Sequence, residues 1–198
     1  MAIRDELRTF KKERILQEAT NLFYERGYRG TSLDAIAERL SVTKPFIYHH
    51  YRNKDALLVE IYMRVVRNSL ACVQTARSTA GTATGKLRRF ARDYTRLVIA
   101  EQRVVSVFFR EESNIPEEYR QEINDLKGEF DQELSDLLAE GVEAGEFRIS
   151  DVRLATLAIV GMISWMYTWY RPHGRLADDE ISGRMVEFAE RVVGVPES

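Results

Sequence analysis

Apolar residues recur along most of the chain at the three- and four-residue intervals that are typical of amphipathic α-helices. Stretches with this pattern include Phe10–Arg26, Pro116–Ala144 and Asp178–Val193. The Val- and Phe-rich run Arg103–Glu112 has the propensity of a strand, but no second strand is available to pair with it, so it is interpreted as a buried helix. The sequence therefore predicts an all-α fold with about nine helices.

The shortest predicted helices lie next to each other within residues 33–55, LDAIAERLSVTKPFIYHHYRNKD. Apolar residues at positions 33, 36, 37 and 40 give the first of them one apolar face. Ser41 and Val42 leave room only for a tight turn between the two. The second helix, Lys44–His50, has Pro45 in its first turn, where the missing N–H group costs least. The pattern predicts a helix-turn-helix.

The second short helix carries aromatic and basic residues that are costly to expose without a partner. Hydroxyl groups and lysines suit phosphates, while aromatic edges suit bases and thymine methyl groups, so double-stranded DNA is the predicted partner. The residues expected to position the DNA backbone are Thr31, Ser32, Thr43, Tyr51 and Lys54. Those expected to meet base edges are Lys44, Pro45, Phe46 and Tyr48, with His49 beside a phosphate.

The distribution of charge supports a polyanionic partner for the N-terminal part alone. Residues 1–58 contain 11 Lys and Arg against 8 Asp and Glu, a net charge of +3, whereas the remainder has 18 against 23, a net charge of −5; together they give −2. The single cysteine, Cys72, indicates a reducing compartment, and the N-terminus lacks the apolar core of a signal peptide. Polar residues interrupt the apolar stretch Leu154–Tyr170, so no membrane span is predicted and the expected location is cytoplasmic.

Residues ~10–57 resemble the N-terminal domain of the TetR family of transcriptional regulators. The segment IYHHYRNKDALL is the most specific part of the resemblance. The other matching residues are Ala19, Leu22, Phe23, Gly27, Tyr28, Thr31, Ser32, Ile36, Ala37 and Val42. The resemblance implies a three-helix DNA-binding head at residues 1–58 and a helical ligand-binding and dimerisation body at residues 59–198. Ser41 departs from the glycine of many relatives, and a positive φ at that position would strain it.

The resemblance also implies a cavity among the middle helices of the body. The residues expected to line it are Phe90, Tyr94, Phe108, Phe109, Phe130, Met162, Trp165, Trp169 and Arg171. The segment WMYTWYRPHGRL resembles a branch of the family that controls fatty-acid, aromatic-acid or steroid breakdown, which implies an acyl-CoA thioester as the small-molecule effector. A lipophilic cation, as in regulators of drug efflux, is the alternative.

A homodimer is expected, because two helix-turn-helix heads spaced one turn of DNA apart read a palindrome. The last two predicted helices are the candidate interface, through Leu154, Ala158, Gly161, Ile181, Met185, Phe188 and Val192. The alternative is that these apolar faces only close the core of the monomer.

The motifs of a phosphate-binding loop, a zinc protease and a nucleophile elbow are all absent, so an enzyme is not predicted. His49 and His50 would point about 100° apart on a helix, so no metal site is predicted, and no cofactor. The sequence predicts a repressor that leaves its operator when the effector moves the helix beginning at Asn53. The alternative from another class is a ligand-independent architectural DNA-binding protein.

Overall fold

The structure is a computed structural model that describes the backbone of residues 2–195 and the side chains of residues 5–195. Within that range the chain forms ten α-helices, one 3₁₀ turn and no strand, which confirms the all-α prediction. The helices are α1 (Ala2–Arg26), α2 (Leu33–Arg39), α3 (Lys44–His50), α4 (Lys54–Ser78), α5 (Ala83–Ala100), α6 (Gln102–Arg110), α7 (Glu117–Glu143), α8 (Val152–Ser164), α9 (Met166–Trp169) and α10 (Asp178–Val193). The 3₁₀ turn, Glu112–Asn114, lies between α6 and α7.

Two helices differ from their predicted extents. α1 begins at Ala2 rather than at Phe10. The added residues contain neither Gly nor Pro, and Asp5 lies in the first turn, where a negative charge favours the helix. The apolar pattern predicts one helix over residues 151–171, but this helix is interrupted at Trp165, which separates α8 from the single turn of α9.

The start of α5 shows how a tertiary contact can lengthen a helix. The small and polar residues of the stretch 78–85 predict a loop, but residues 83–85 are helical. The Thr82 hydroxyl accepts the N–H of Gly85 at 3.1 Å. The carboxylate of Glu146 accepts the N–H groups of Ala83, at 3.1 Å, and Thr84, at 2.8 Å. These acceptors satisfy amides that the first turn of a helix leaves unpaired.

The described chain divides into two compact units, and the boundary falls within α4 and again within α7. The first unit contains the chain up to Val65 together with Arg103–Ile123, and the second contains Val66–Gln102 and the chain from Asn124 onward. The segment from α6 to the start of α7 therefore belongs to the same compact unit as α1, α2 and α3. The predicted domain boundary at residue 58 would place this segment in the C-terminal domain instead.

Each unit has its own apolar core. In the first unit, fully buried side chains come from α1, α2, α3 and α4 and include Ile15, Leu22, Ile36, Ile47, Leu57 and Tyr62. In the second unit, α5 packs against α8, α9 and α10. Its core includes Leu87, Phe90, Leu134, Leu137, Ile159, Met166 and Val193. These faces follow the predicted helical periodicity.

Candidate nucleic-acid interface

The turn between α2 and α3 is fixed by backbone hydrogen bonds. The Ser32 hydroxyl accepts the Ala35 N–H at 3.1 Å and caps α2 at its start. At its end, the N–H of Ser41 donates to Glu38 O and that of Val42 to Ala37 O, both at 3.0 Å, which is the Schellman pattern. Ser41 has φ 55°, the left-handed conformation that normally favours glycine. The strain foreseen for this serine is therefore present.

The outer face of α3 presents three of the four residues that were predicted to meet base edges, together with His49. Ile47 is completely buried and anchors the helix in the core. Lys44, Pro45, Tyr48 and His49 are exposed, and Tyr48 has 47% of its surface accessible. A helix that buries one face at Ile47 must direct the neighbouring side chains outward. The structure thus brings four of the predicted DNA-contacting residues together on one short surface.

The carboxylate of Asp34 competes weakly with DNA for the positive charge of Lys44. Its Nζ lies 2.9 Å from the Asp34 carboxylate and 5.8 Å from the centroid of the Tyr48 ring. The hydrogen bond to Asp34 raises the pKa of Lys44, which stays cationic at neutral pH. Both members of the ion pair are exposed, so the pair contributes little and can exchange Asp34 for a phosphate or a base edge.

Thr31 and Lys54 have partners inside the first unit. The Thr31 hydroxyl is buried within hydrogen-bonding distance of the carbonyl oxygens of Gly27, at 2.9 Å, and Leu22, at 3.2 Å. The Lys54 ammonium donates to the carbonyl oxygens of Tyr28, at 2.7 Å, and Thr31, at 2.8 Å. Burial lowers the pKa of Lys54, and nearby carboxylates oppose that shift. Both side chains stabilise the loop that leads into α2 through these hydrogen bonds. Their contact with DNA stays a prediction.

The other residues predicted to contact DNA differ in exposure. Ser32 and Thr43 are exposed, and Thr43 makes no side-chain cap to α3. Phe46 is half-buried beneath the Lys11 ammonium, which lies 5.6 Å from its ring centroid. Tyr51 is almost fully buried, and burial, followed by the Glu60 carboxylate, raises the pKa of its phenol. Ser32 and Thr43 therefore present free faces to solvent, whereas Tyr51 contributes to the core.

A buried carboxylate that sequence reasoning missed holds the loop between α1 and α2. Glu111 has only 8% of its surface exposed, accepts the backbone N–H of Tyr28 at 3.1 Å and accepts the amide of Asn114 at 2.8 Å. The Tyr28 phenol donates to Asp55, and its ring lies 4.1 Å from the Lys54 ammonium. Burial, followed by the hydrogen bond to Asp55, raises the pKa of that phenol. Because Tyr28 and Glu111 lie 83 residues apart, no local pattern could have indicated this contact.

Part of the predicted ligand-binding set forms an aromatic cluster in the second unit. The ring centroids of Phe90, Tyr94 and Phe130 lie 5.4 to 6.2 Å apart. The Tyr94 hydroxyl is hydrogen-bonded to the Ser164 hydroxyl at 2.9 Å. Met162 is partly buried and packs against the same core. These four residues pack together in the core of the second unit, and their contact with an effector stays a prediction.

The remaining predicted ligand-binding residues lie elsewhere. Phe108 belongs to the first unit, where its ring lies 4.6 Å from that of Tyr62, and its neighbour Phe109 is exposed. Trp165 and Trp169 are exposed as well. The Arg171 guanidinium donates to the carbonyl oxygens of Thr168, at 3.2 Å, and Tyr170, at 2.9 Å. The structure therefore does not bring the predicted set together as one lining.

A groove of about 820 Å³ opens between the end of α5 and the segment that joins α9 to α10. The Arg96 guanidinium and the Asp179 carboxylate pair at 2.9 Å at one side of it. The Tyr170 hydroxyl donates to Asp178 at 2.8 Å at another. None of the predicted ligand-binding residues lines this groove. Its charged groups already satisfy one another, so it offers a polar ligand little unpaired charge.

An apolar stripe runs along the outer surface of α8 and α9. Its members recur at helical spacing and are exposed: Leu154, Leu157, Ala158, Gly161, Trp165 and Trp169. On α10, Phe188 is exposed and Val192 half-buried, whereas Ile181 and Met185 lie in the core. We call the exposed set, together with Phe188, the outer apolar face. The two tryptophans, predicted to line a cavity, are part of it.

The same segment is notable for its hydropathy. Among the described residues, Val152–Trp169 is long and apolar enough to cross a membrane by length and composition, with 33% of it buried. A core helix of the same composition passes that test. One side of this segment packs in the core through Ala155, Ile159 and Ile163, and the other side forms the outer apolar face. Two apolar faces on one helix account for its hydropathy.

The sequence profile described as "Tetracyclin repressor-like, C-terminal domain" matches residues 80–193, which is more than half of the chain. The protein belongs to the TetR family. A second profile, "Bacterial regulatory proteins, tetR family", matches residues 15–61, which contain the helix-turn-helix. This TetR-family protein is accordingly a DNA-binding transcriptional regulator, as the resemblance implied.

Relatives support the same assignment over most of the chain. The fatty acid metabolism regulator protein of Bacillus subtilis is 26% identical over 163 residues, which cover 80% of this chain and 83% of that protein. The crystal structure of the TetR-family regulator PfmR from Thermus thermophilus is 30% identical, with a TM-score of 0.82, and covers 93% of this chain and 100% of its own. The structure of AibR in complex with isovaleryl coenzyme A and operator DNA is 28% identical, with a TM-score of 0.80, and covers 90% of this chain and 97% of its own.

Proposed function

We propose that this TetR-family regulator is a homodimeric repressor that leaves a palindromic operator when an acyl-CoA thioester binds to its second unit. The observation that carries the dimer is the outer apolar face. Leu154 is 64% exposed, Leu157 is 52% exposed and Trp165 is 60% exposed, and they are contiguous on one side of α8. Exposed apolar patches of this kind mark sites of association. Gly161 leaves open space where a second helix could approach closely.

A twofold dimer suits the DNA-binding surface. The outer face of α3 is only seven residues long and can read a few base pairs. Two copies related by a twofold axis present two such helices to successive major grooves, so the operator is expected to be a palindrome. Lys44, Pro45 and Tyr48 are the exposed side chains that would meet base edges.

The effector class follows from similarity and is supported by composition. AibR, which resembles this chain over nearly its whole length, was crystallised with isovaleryl coenzyme A, and the Bacillus subtilis relative regulates fatty acid metabolism. An acyl-CoA combines an apolar tail with an anionic head. The aromatic cluster of Phe90, Tyr94 and Phe130 suits the tail, and the exposed guanidinium of Arg92 on α5 suits phosphate.

Release from DNA requires that the effector distinguish two states of the protein. An acyl-CoA that bound equally well to the DNA-competent and DNA-incompetent states would not shift the equilibrium between them. The proposal is therefore that it binds the DNA-incompetent state more tightly and moves α4, whose start lies in the first unit and whose end lies in the second. By linkage, operator DNA must weaken acyl-CoA binding by the same factor.

The dimer is tested with Leu157→Arg, which places a charge in the outer apolar face. Val142→Arg is the matched control, because it places the same charge at an exposed apolar residue of α7 outside that face. Light scattering after size exclusion should show a dimer for the wild type and the control and a monomer for Leu157→Arg. A dimeric Leu157→Arg protein would remove this face from the interface.

The effector is tested on an operator selected from a random duplex library by the wild-type protein. Fluorescence anisotropy then follows release from that operator by acyl-CoAs of increasing chain length, with free coenzyme A and the cationic dye rhodamine 6G in parallel. Release by acyl-CoA alone supports the proposal. Release by the dye alone would place the protein with regulators of drug efflux. A selected operator that no compound releases would contradict effector control, and failure to select any sequence would contradict operator recognition.

A further inference from the structure

The N-terminal half of α1 carries cations that lie beside the C-terminal end of α3. Arg8, Lys11 and Lys12 are three and four residues apart and therefore share one side of the helix. The Lys11 ammonium lies 5.6 Å from the ring centroid of Phe46, and the Lys12 ammonium lies 5.2 Å from that of Tyr51. The two aromatic residues belong to α3 and its C-cap. α1 thus crosses this end of the helix that presents the predicted base-reading residues.

A pair of histidines lies beside these cations. The His50 ring lies 5.2 Å from that of Phe46 and 5.1 Å from that of His49. Burial, followed by the charges of His49, Lys11, Lys12 and Arg8, lowers the pKa of His50, so these groups lie within electrostatic reach of the His50 ring. We call Arg8, Lys11, Lys12, His49 and His50 the α1–α3 basic surface.

Little negative charge offsets the α1–α3 basic surface. Lys12 has a loose ion pair with Glu60 at 3.9 Å. Among the described residues, no ion pair involves Arg8 or Lys11, although Asp5 and Glu6 lie on the same helix. Two exposed cations for which no ion pair is described, held next to α3 by a helix rather than by a loop, match the requirement of a polyanion. The mutual repulsion of these charges is relieved when a phosphodiester backbone lies over them.

The geometry points to a second DNA contact: we propose that Arg8 and Lys11 bind the phosphate backbone flanking the base pairs that α3 reads. Residues 8 and 11 are separated by about 4.5 Å along the helix axis, because a helix rises about 1.5 Å per residue, so both side chains can contact the same stretch of backbone. Phosphate contacts carry no sequence information, so this surface adds affinity and orientation to both specific and non-specific binding. The proposal rests on the DNA binding of the helix-turn-helix and extends it beyond α2 and α3.

The test measures the salt dependence of binding by Arg8→Ala/Lys11→Ala. Each lost phosphate contact should reduce the slope of log K against log salt by about 0.9, so two cations in each of two heads should reduce it by about 3.6. The control is Arg148→Ala/Arg175→Ala, which removes the same charge from exposed residues of the second unit. Anisotropy is measured with the selected operator and with a 30-base-pair duplex of unrelated sequence.

The expected result is weaker binding of the double variant to both duplexes, with an unchanged ratio between them and a smaller salt slope. Tyr48→Ala should instead reduce the ratio of the affinity for the operator to the affinity for the unrelated duplex. A salt slope equal to that of the control would overturn the second contact while leaving the helix-turn-helix in place. A wild-type protein that binds both duplexes equally would contradict operator recognition. In that case the salt slopes of the wild type and the variant on the unrelated duplex still test the phosphate contact. Circular dichroism verifies that the variant is folded.

Discussion

Replacement of Glu111 by alanine should loosen the loop between α1 and α2. The substitution removes the acceptor of two hydrogen bonds, from the Tyr28 N–H at 3.1 Å and from the Asn114 amide at 2.8 Å. Hydrogen bonds to a charged group contribute about 1.5–3 kcal/mol each. Because 8% of the Glu111 surface is exposed to water, we expect the free energy of unfolding to decrease by the low end of the sum, about 3 kcal/mol. For a protein of this length that corresponds to a decrease of about 6–12 °C in Tm.

Glu111→Gln should cost roughly half as much. Its Oε1 can still accept the Tyr28 N–H, and a neutral hydrogen bond contributes about 0.5–1.5 kcal/mol. Glu38→Ala serves as the control, since it removes an exposed carboxylate of the first unit for which no side-chain partner is described. The expected order of Tm is therefore wild type and Glu38→Ala, then Glu111→Gln, then Glu111→Ala.

The two units can be followed separately in this experiment. Both tryptophans, Trp165 and Trp169, lie in the second unit, so tryptophan fluorescence reports on that unit. Hydrogen exchange at the Tyr28 amide reports on the loop itself. We expect Glu111→Ala to speed exchange at Tyr28 while the tryptophan spectrum at 25 °C is unchanged. If both the exchange rate and Tm equal those of the wild type, Glu111 does not hold the loop.

Three further substitutions test local features. Ser41→Gly should stabilise the protein by about 0.5–1 kcal/mol in denaturant unfolding, because glycine adopts φ 55° without strain; an unchanged midpoint would refute the strain. Burial, followed by the charge of His49, lowers the pKa of His50, so the unfolded chain binds its proton more readily and stability falls as pH drops below about 6.5. The Tm of His50→Gln should decrease less than that of the wild type between pH 7 and pH 5, and an equal decrease would refute the role of His50. Gly141→Ala would place a Cβ 2.1 Å from the Phe147 ring and should cost about 1–3 kcal/mol, whereas Gly128→Ala meets open space and should not destabilise in the same thermal assay.

Local patterns in the sequence predicted the helices well. The last helix has the predicted bounds, Asp178–Val193, because its stripe of apolar residues and its acidic first turn are both local signals. The turn at Ser41 was foreseen for the same reason, since a cap and two short periodic segments leave few conformations between them. Resemblance to the TetR family then supplied the activity of a DNA-binding transcriptional regulator, which the family profiles confirm.

The candidate sites were harder to predict, because periodicity shows that a face is apolar but not what covers it. Trp165 and Trp169 were expected in a cavity, yet the structure exposes them beside Leu157. Ile181 and Met185 were expected at an interface, yet they are in the core. A helix with two apolar faces gives one sequence pattern for both arrangements, and only packing decides which face is inside.

The sequence by itself determined the helical segments, the helix-turn-helix and the family, since each rests on residues close together in the chain. Tertiary structure alone decided that the segment after α6 joins the first unit through Glu111, and that Glu146 caps α5. It also decided that the cations of α1 lie beside α3. The physical reason is the same in each case. A hydrogen bond or a charge acts over a few ångströms, and the distance along the chain does not tell which groups will come that close.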